Sequence, residues 1–169
     1  MNAIKRHPWR TAAIICAVVL IAALAWCLWP RSWSDIAGDG EISTFQTMLW
    51  EAAILEVDGE ESHAHRSVKL SAEPEGGIPQ GAEEILGLLD SARFRARPLY
   101  SLGTHSGGGG TITLSLVYDD QNGGVFYLDR NGILTGSDFN TTYSTDPELY
   151  DAIADVISRY GEAEERVIE

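Results

Sequence analysis

Residues Thr111–Thr135 read TITLSLVYDDQNGGVFYLDRNGILT. In the first eight, Ile112, Leu114, Leu116 and Tyr118 point one way, while Thr111, Thr113 and Ser115 point the other. Side chains alternate across a strand with a period of two, so this pattern predicts a strand with one buried face. Asp120-Gln121-Asn122-Gly123-Gly124 turns the chain into a second strand, Val125–Asp129. Asn131-Gly132 then predicts a tight hairpin into Ile133–Thr135, because two-residue hairpin turns demand positive φ values that Asn and Gly tolerate. A run of short antiparallel strands is therefore the centre of the fold.

Working outward, the C-terminal side predicts a helix. Thr145-Asp146-Pro147-Glu148 matches a capping box, and Leu149, Ile153, Val156, Ile157 and Tyr160 form one apolar stripe. Gly161 ends it, and residues 162–169 are expected to be an acidic tail. On the N-terminal side, Phe45–Val57 is ambiguous. Phe45, Met48, Leu49 and Ala52 have helical spacing, but Ala53-Ile54-Leu55-Glu56-Val57 before an Asp58-Gly59 turn favours a strand. His65–Leu70 alternates as a second strand. A loop over 73–81 leads to a helix over Ala82–Ala92, with Ile85, Leu86, Leu88 and Leu89 inward. Phe94–Leu102 reads as an edge strand marked by Pro98, followed by the Gly107–Gly110 loop. The expected order is β-β-α-β-β-β-β-α, an α+β domain over residues 45–161 with two helices on one face of an antiparallel sheet.

Thr11–Trp29 carries no charged residue. Nineteen residues at about 1.5 Å each make roughly 28 Å of helix, near the ~30 Å hydrocarbon core of a bilayer. The sequence thus predicts a cytoplasmic stub (1–10), a transmembrane signal anchor contacting lipid (11–29) and a polar tether (30–44). Trp9, Arg10, Trp29, Arg31 and Trp33 are the expected membrane-interface residues. Lys5, Arg6 and Arg10 precede the run, so the positive-inside bias puts the C-terminal domain outside the cytoplasm. Ala23-Leu24-Ala25 offers a competing reading, cleavage near Ala25 and secretion. Leu24–Cys27 loosely matches a lipobox, with a bulky Trp26 where a small residue is wanted. Ala13 and Ala17 form a small-xxx-small pair of the kind that supports helix pairing.

Charge supports the same division. The chain has 12 basic and 25 acidic side chains, a net charge of −13. Residues 1–31 hold four basic groups and no acid, whereas residues 32–169 hold the other eight against all 25 acids, a net −17. Such a surface repels phosphate backbones, which excludes nucleic acid as a partner. Both cysteines, Cys16 and Cys27, lie in the apolar segment. The remainder therefore has neither disulfide nor thiolate chemistry.

Over roughly residues 47–160, the hairpins, Tyr143 and the Pro147-Glu148-Leu149-Tyr150 helix start resemble small single-pass or lipid-anchored surface domains of Gram-positive bacteria. The resemblance implies an extracytoplasmic location and an α+β fold, and it carries over no active site.

Four groups of residues invite chemistry. His63 and His65, two apart on a strand, project from one face and could meet one metal ion, with Glu60, Glu61 or the distant His105 completing the set. Exposed histidines beside a turn are the simpler reading. Arg93, Arg95 and Arg97 would line one face of an extended segment as an anion clamp, or pair with nearby acids. His105-Ser106 beside four glycines has neither a nucleophile elbow nor the lysine of a phosphate loop. Asp119, Asp120, Asn122 and Asp129 match no calcium-loop spacing and suit turns. The expectation is a non-enzymatic, membrane-tethered extracytoplasmic domain that binds or senses another surface component, without a cofactor. A small metal-assisted hydrolase using His63, His65 and His105 is the alternative.

Overall fold

A computed structural model describes residues 8–57, 60–72, 77–97, 110–119, 123–137 and 142–167; within these, the side chains of residues 8, 10, 27, 53–57, 60–65 and 165–167 are not described. The elements are α1 (Pro8–Leu28), α2 (Trp33–Ala37), β1 (Ile42–Val57), β2 (Glu60–Ser71), α3 (Ala82–Ser91), β3 (Arg95–Ala96), β4 (Thr111–Tyr118), β5 (Gly123–Asp129), β6 (Ile133–Gly136), β7 (Tyr143–Ser144), α4 (Glu148–Tyr160) and β8 (Glu162–Val167).

The sheet is built around β4. Ile112, Leu114, Leu116 and Tyr118 are buried, and the intervening hydroxyl residues are not. Register carries that parity across neighbours: Phe45, Thr47 and Leu49 of β1 stand opposite Leu116, Leu114 and Ile112, and all three are buried. Thr47 is tolerated there because its hydroxyl donates to the Thr113 carbonyl at 2.9 Å, which satisfies a group that would otherwise be costly to bury. The strand order is β3-β7-β6-β5-β4-β1-β2-β8, and every pairing is antiparallel. Ile85 and Leu89 of α3 and Leu149, Ile153, Val156 and Ile157 of α4 join the same core as the buried sheet residues.

This architecture corrects the expected six-stranded arrangement. Eight strands are present among the described residues, the additional ones being β7 and β8. β8 occupies the segment expected as an acidic tail and pairs with β2, placing Glu162 opposite Lys69 and Glu164 opposite Ser67. Its sequence, EAEERV, has no apolar alternation. Backbone pairing to β2 holds it, together with an opposite-charge register position. Of the expected edge strand over 94–102, only Arg95–Ala96 is described as β3.

Residues 30–44 also differ from a polar tether. They contain α2, whose Trp33 and Ile36 are buried in the main core. The capping box lies here as well, and not at Thr145. Ser32 Oγ accepts from the Asp35 N–H at 3.2 Å, and Asp35 Oδ2 accepts from the Ser32 N–H at 2.8 Å. At α4, Asp146 Oδ1 instead accepts from the Glu148 N–H at 3.0 Å. The Thr145 hydroxyl is buried without a partner among the described residues. Tyr160, expected in the α4 stripe, is 39% exposed.

The expected membrane crossing is corrected too. Among the described residues, no helix is long and apolar enough to cross a membrane, so the transmembrane and signal-anchor readings do not stand.

Candidate functional site

The C-terminal end of α1 meets the folded domain at Arg31. Its N–H donates to the Phe94 carbonyl at 2.7 Å, and the Phe94 N–H donates back to the Arg31 carbonyl at 3.0 Å. Two reciprocal backbone bonds fix where the Arg31 side chain begins. From there its guanidinium carbon lies 5.6 Å from the centre of the Trp26 ring, within cation–π range. One residue later Ser32 starts α2 and, through the capping box, fixes Asp35. The hydrogen bonds from the Ser32 side chain and backbone, with a smaller contribution from Arg31, hold the exposed Asp35 carboxyl below its usual range.

Between these groups is an open cleft of about 610 Å³ lined by Ala22, Ala25, Trp26, Trp29, Arg31 and Asp35. One end is apolar and aromatic. The other carries a fixed cation and a fixed anion. Such a cleft suits an amphiphile with charges of both signs at its head.

A second constellation lies at the far end of the sheet. Trp50, Thr111 and Asp129 share one register row across β1, β4 and β5. Beyond it, Arg130 pairs with Glu51 at 3.2 Å, and the Arg130 guanidinium carbon lies 5.6 Å from the centre of the Tyr150 ring. The Tyr150 hydroxyl is buried without a partner among the described residues. Burial, and then the Glu51 carboxylate, push its pKa up to about 12. It is therefore a proton donor at neutral pH and not a base.

The residues singled out from the sequence are dispersed. Trp9 and Trp29 are exposed on or beside α1, Arg31 lines the cleft, and the Arg10 side chain is outside the described residues. Trp33 is not at an interface. It is 4% exposed, packed between Phe94 and Phe126. Arg93, Arg95 and Arg97 are all exposed while the intervening Phe94 is buried. Arg93 donates to the Asp90 and Ala92 carbonyls at the end of α3, and the Arg97 N–H donates to the Thr142 carbonyl. His63 and His65 stand at β2 register positions opposite Ile54 and Ala52. Their side chains, and all of His105, lie outside the described residues. Among the described residues no group of three or more His, Cys, Asp or Glu could hold a metal ion.

The residue missed by sequence reading is Asp35. Its signal was Ser32-x-x-Asp35, a capping-box spacing concealed in a stretch too short for an apolar period. The chain matches no protein-family model, no curated protein and no solved structure.

Proposed function

We propose that this protein is a binding domain held at a lipid bilayer by α1. The observation that supports the reading is the exposure of α1 on every side. Each side chain described from Thr11 to Trp26 is exposed, with Ile14, Leu20, Ile21 and Leu24 between 53% and 65% accessible. A contiguous exposed apolar surface of this extent marks a site of association with a membrane or a partner, and a lipid surface is the occupant the basic residues before α1 favour. Removing a large aliphatic side chain from water is worth about 1.5–3 kcal/mol. The seven exposed Ile, Val and Leu side chains from Ile14 to Leu24 together offer on the order of 10 kcal/mol. The cleft at the end of α1 supports binding as the activity, since it combines apolar surface with two opposite charges and no nucleophile.

Flotation of the full chain with phosphatidylcholine vesicles tests this. The chain is expected to rise with the vesicles. Val18→Asp/Ile21→Asp is expected to remain in the dense fraction, because each carboxylate costs about 2.5 kcal/mol or more in an apolar phase. An unmodified chain that stays with the protein fraction overturns the reading, as does a doubly substituted chain that floats equally well.

A further inference from the structure

We infer that the cleft between α1 and α2 is a seat for one zwitterionic phospholipid headgroup, its phosphate on Arg31 and its ammonium group toward Asp35 and the Trp29 ring. This rests on the proposed lipid association of α1, and it assigns the class of lipid that the site selects. The cleft opens beside the apolar helix, so an acyl chain lying against Ala22 and Ala25 leads its headgroup directly to the two charges.

Charge complementarity selects the headgroup. Arg31 supplies a planar donor set suited to phosphate oxygens. Its backbone is pinned to Phe94, and its guanidinium lies over the Trp26 ring, so little freedom is lost on binding. Asp35 is held by two hydrogen bonds from Ser32, which keeps a fixed negative charge close to Arg31. An anionic headgroup would satisfy Arg31 but meet Asp35, and behind it the −17 of residues 32–169. An uncharged glycolipid would leave both charges unanswered. A headgroup with phosphate and ammonium answers both, and an exposed tryptophan ring adds a cation–π surface for the ammonium.

The test uses the full chain reconstituted in vesicles of equal parts phosphatidylethanolamine, phosphatidylglycerol and uncharged galactosyl diglyceride, followed by gentle extraction and native mass spectrometry. One retained phosphatidylethanolamine per chain is expected, at least fivefold over either competitor. Arg31→Gln and Asp35→Asn should each abolish the preference. Both keep a side chain able to hydrogen bond, and the amide oxygen introduced by Asp35→Asn can still accept from Ser32, so α2 is retained. Equal retention of the three lipids overturns the seat, as does preference for the anionic lipid or a preference that survives both substitutions. If the unmodified chain fails to associate with vesicles at all, the lipid reading itself falls. Association without headgroup selectivity removes the seat alone.

Discussion

The Trp33 and Phe126 rings lie 4.9 Å apart, centre to centre, and are tilted by 57°. Phe126 is on β5, near the middle of the sheet, whereas Trp33 follows the apolar helix by only a few residues. This contact joins α2 to the core, and with the Arg31–Phe94 bridge it fixes the end of α1 relative to the sheet. The geometry of the cleft depends on it.

Trp33→Ala should therefore destabilise the folded domain by about 3–5 kcal/mol, the usual range for truncating a buried aromatic side chain. Denaturant unfolding followed by circular dichroism measures this. A loss under about 1 kcal/mol would mean that Trp33 is not a core residue.

Gly110 and Tyr150 are packed so closely that a side chain at 110 would overlap the Tyr150 hydroxyl and approach the Trp50 carbonyl. Gly110→Ala is expected to be destabilising. Tyr150→Phe removes a buried hydroxyl that has no partner among the described residues, and so should be neutral or stabilising by up to about 1 kcal/mol. The double substitution should cost less than the sum of the single changes, because removing the hydroxyl relieves the overlap. Additive losses in a double-mutant cycle would refute the contact.

The same hydroxyl predicts a pH dependence. Its pKa is about 12 in the folded state, against roughly 10 for an unperturbed tyrosine. Between those values the folded chain binds more protons than the unfolded chain, so stability falls as pH rises. The contribution is complete below pH 10 and is lost as pH climbs toward 12. Unfolding midpoints of the native chain and Tyr150→Phe, measured from pH 9 to 11.5, should diverge in slope, with the native chain losing stability faster. Parallel slopes would remove Tyr150 as the cause.

Gly132 sits at φ +74°, and a Cβ there would come 2.6 Å from the Thr145 carbonyl oxygen. The same glycine's carbonyl accepts from the Thr145 N–H at 2.8 Å. Gly132→Ala is expected to cost at least about 1–2 kcal/mol, the penalty of a left-handed backbone for an L-residue. Thermal unfolding should show a lowered midpoint. An unchanged midpoint would mean that this turn has another conformation.

Several features are legible in the sequence because they are local. The β4 alternation needs only the period of an extended chain, and a hairpin near Asn131-Gly132 needs only a residue that tolerates positive φ, here Gly132. The loop is one residue longer than the expected two-residue turn, since the Gly132 N–H donates to the Asp129 carbonyl around Arg130 and Asn131. Asp129 Oδ1 completes that turn by accepting from the Asn131 and Ile133 N–H groups, each at 2.9 Å. The apolar face of α4 follows from a 3.6-residue period. β8 is not legible, since Glu162-Ala163-Glu164 has no pattern of its own and becomes a strand by pairing with β2. Asp35 reads as one more surface acid, and only its cap with Ser32 places it beside Arg31.

By itself the sequence determined the antiparallel centre of the sheet, the two amphipathic helices, and the contrast between an apolar basic start and an acidic remainder. Each is a property of neighbouring residues, set by backbone period, turn stereochemistry or summed charge. Tertiary structure alone decided that the apparent tether enters the core through Trp33, that the acidic end pairs with β2, and that Arg31 and Asp35 face one cleft. These outcomes depend on which surfaces meet after folding. A tryptophan near an apolar helix can be buried by lipid or by a protein core, and only the position of Phe126 distinguishes them.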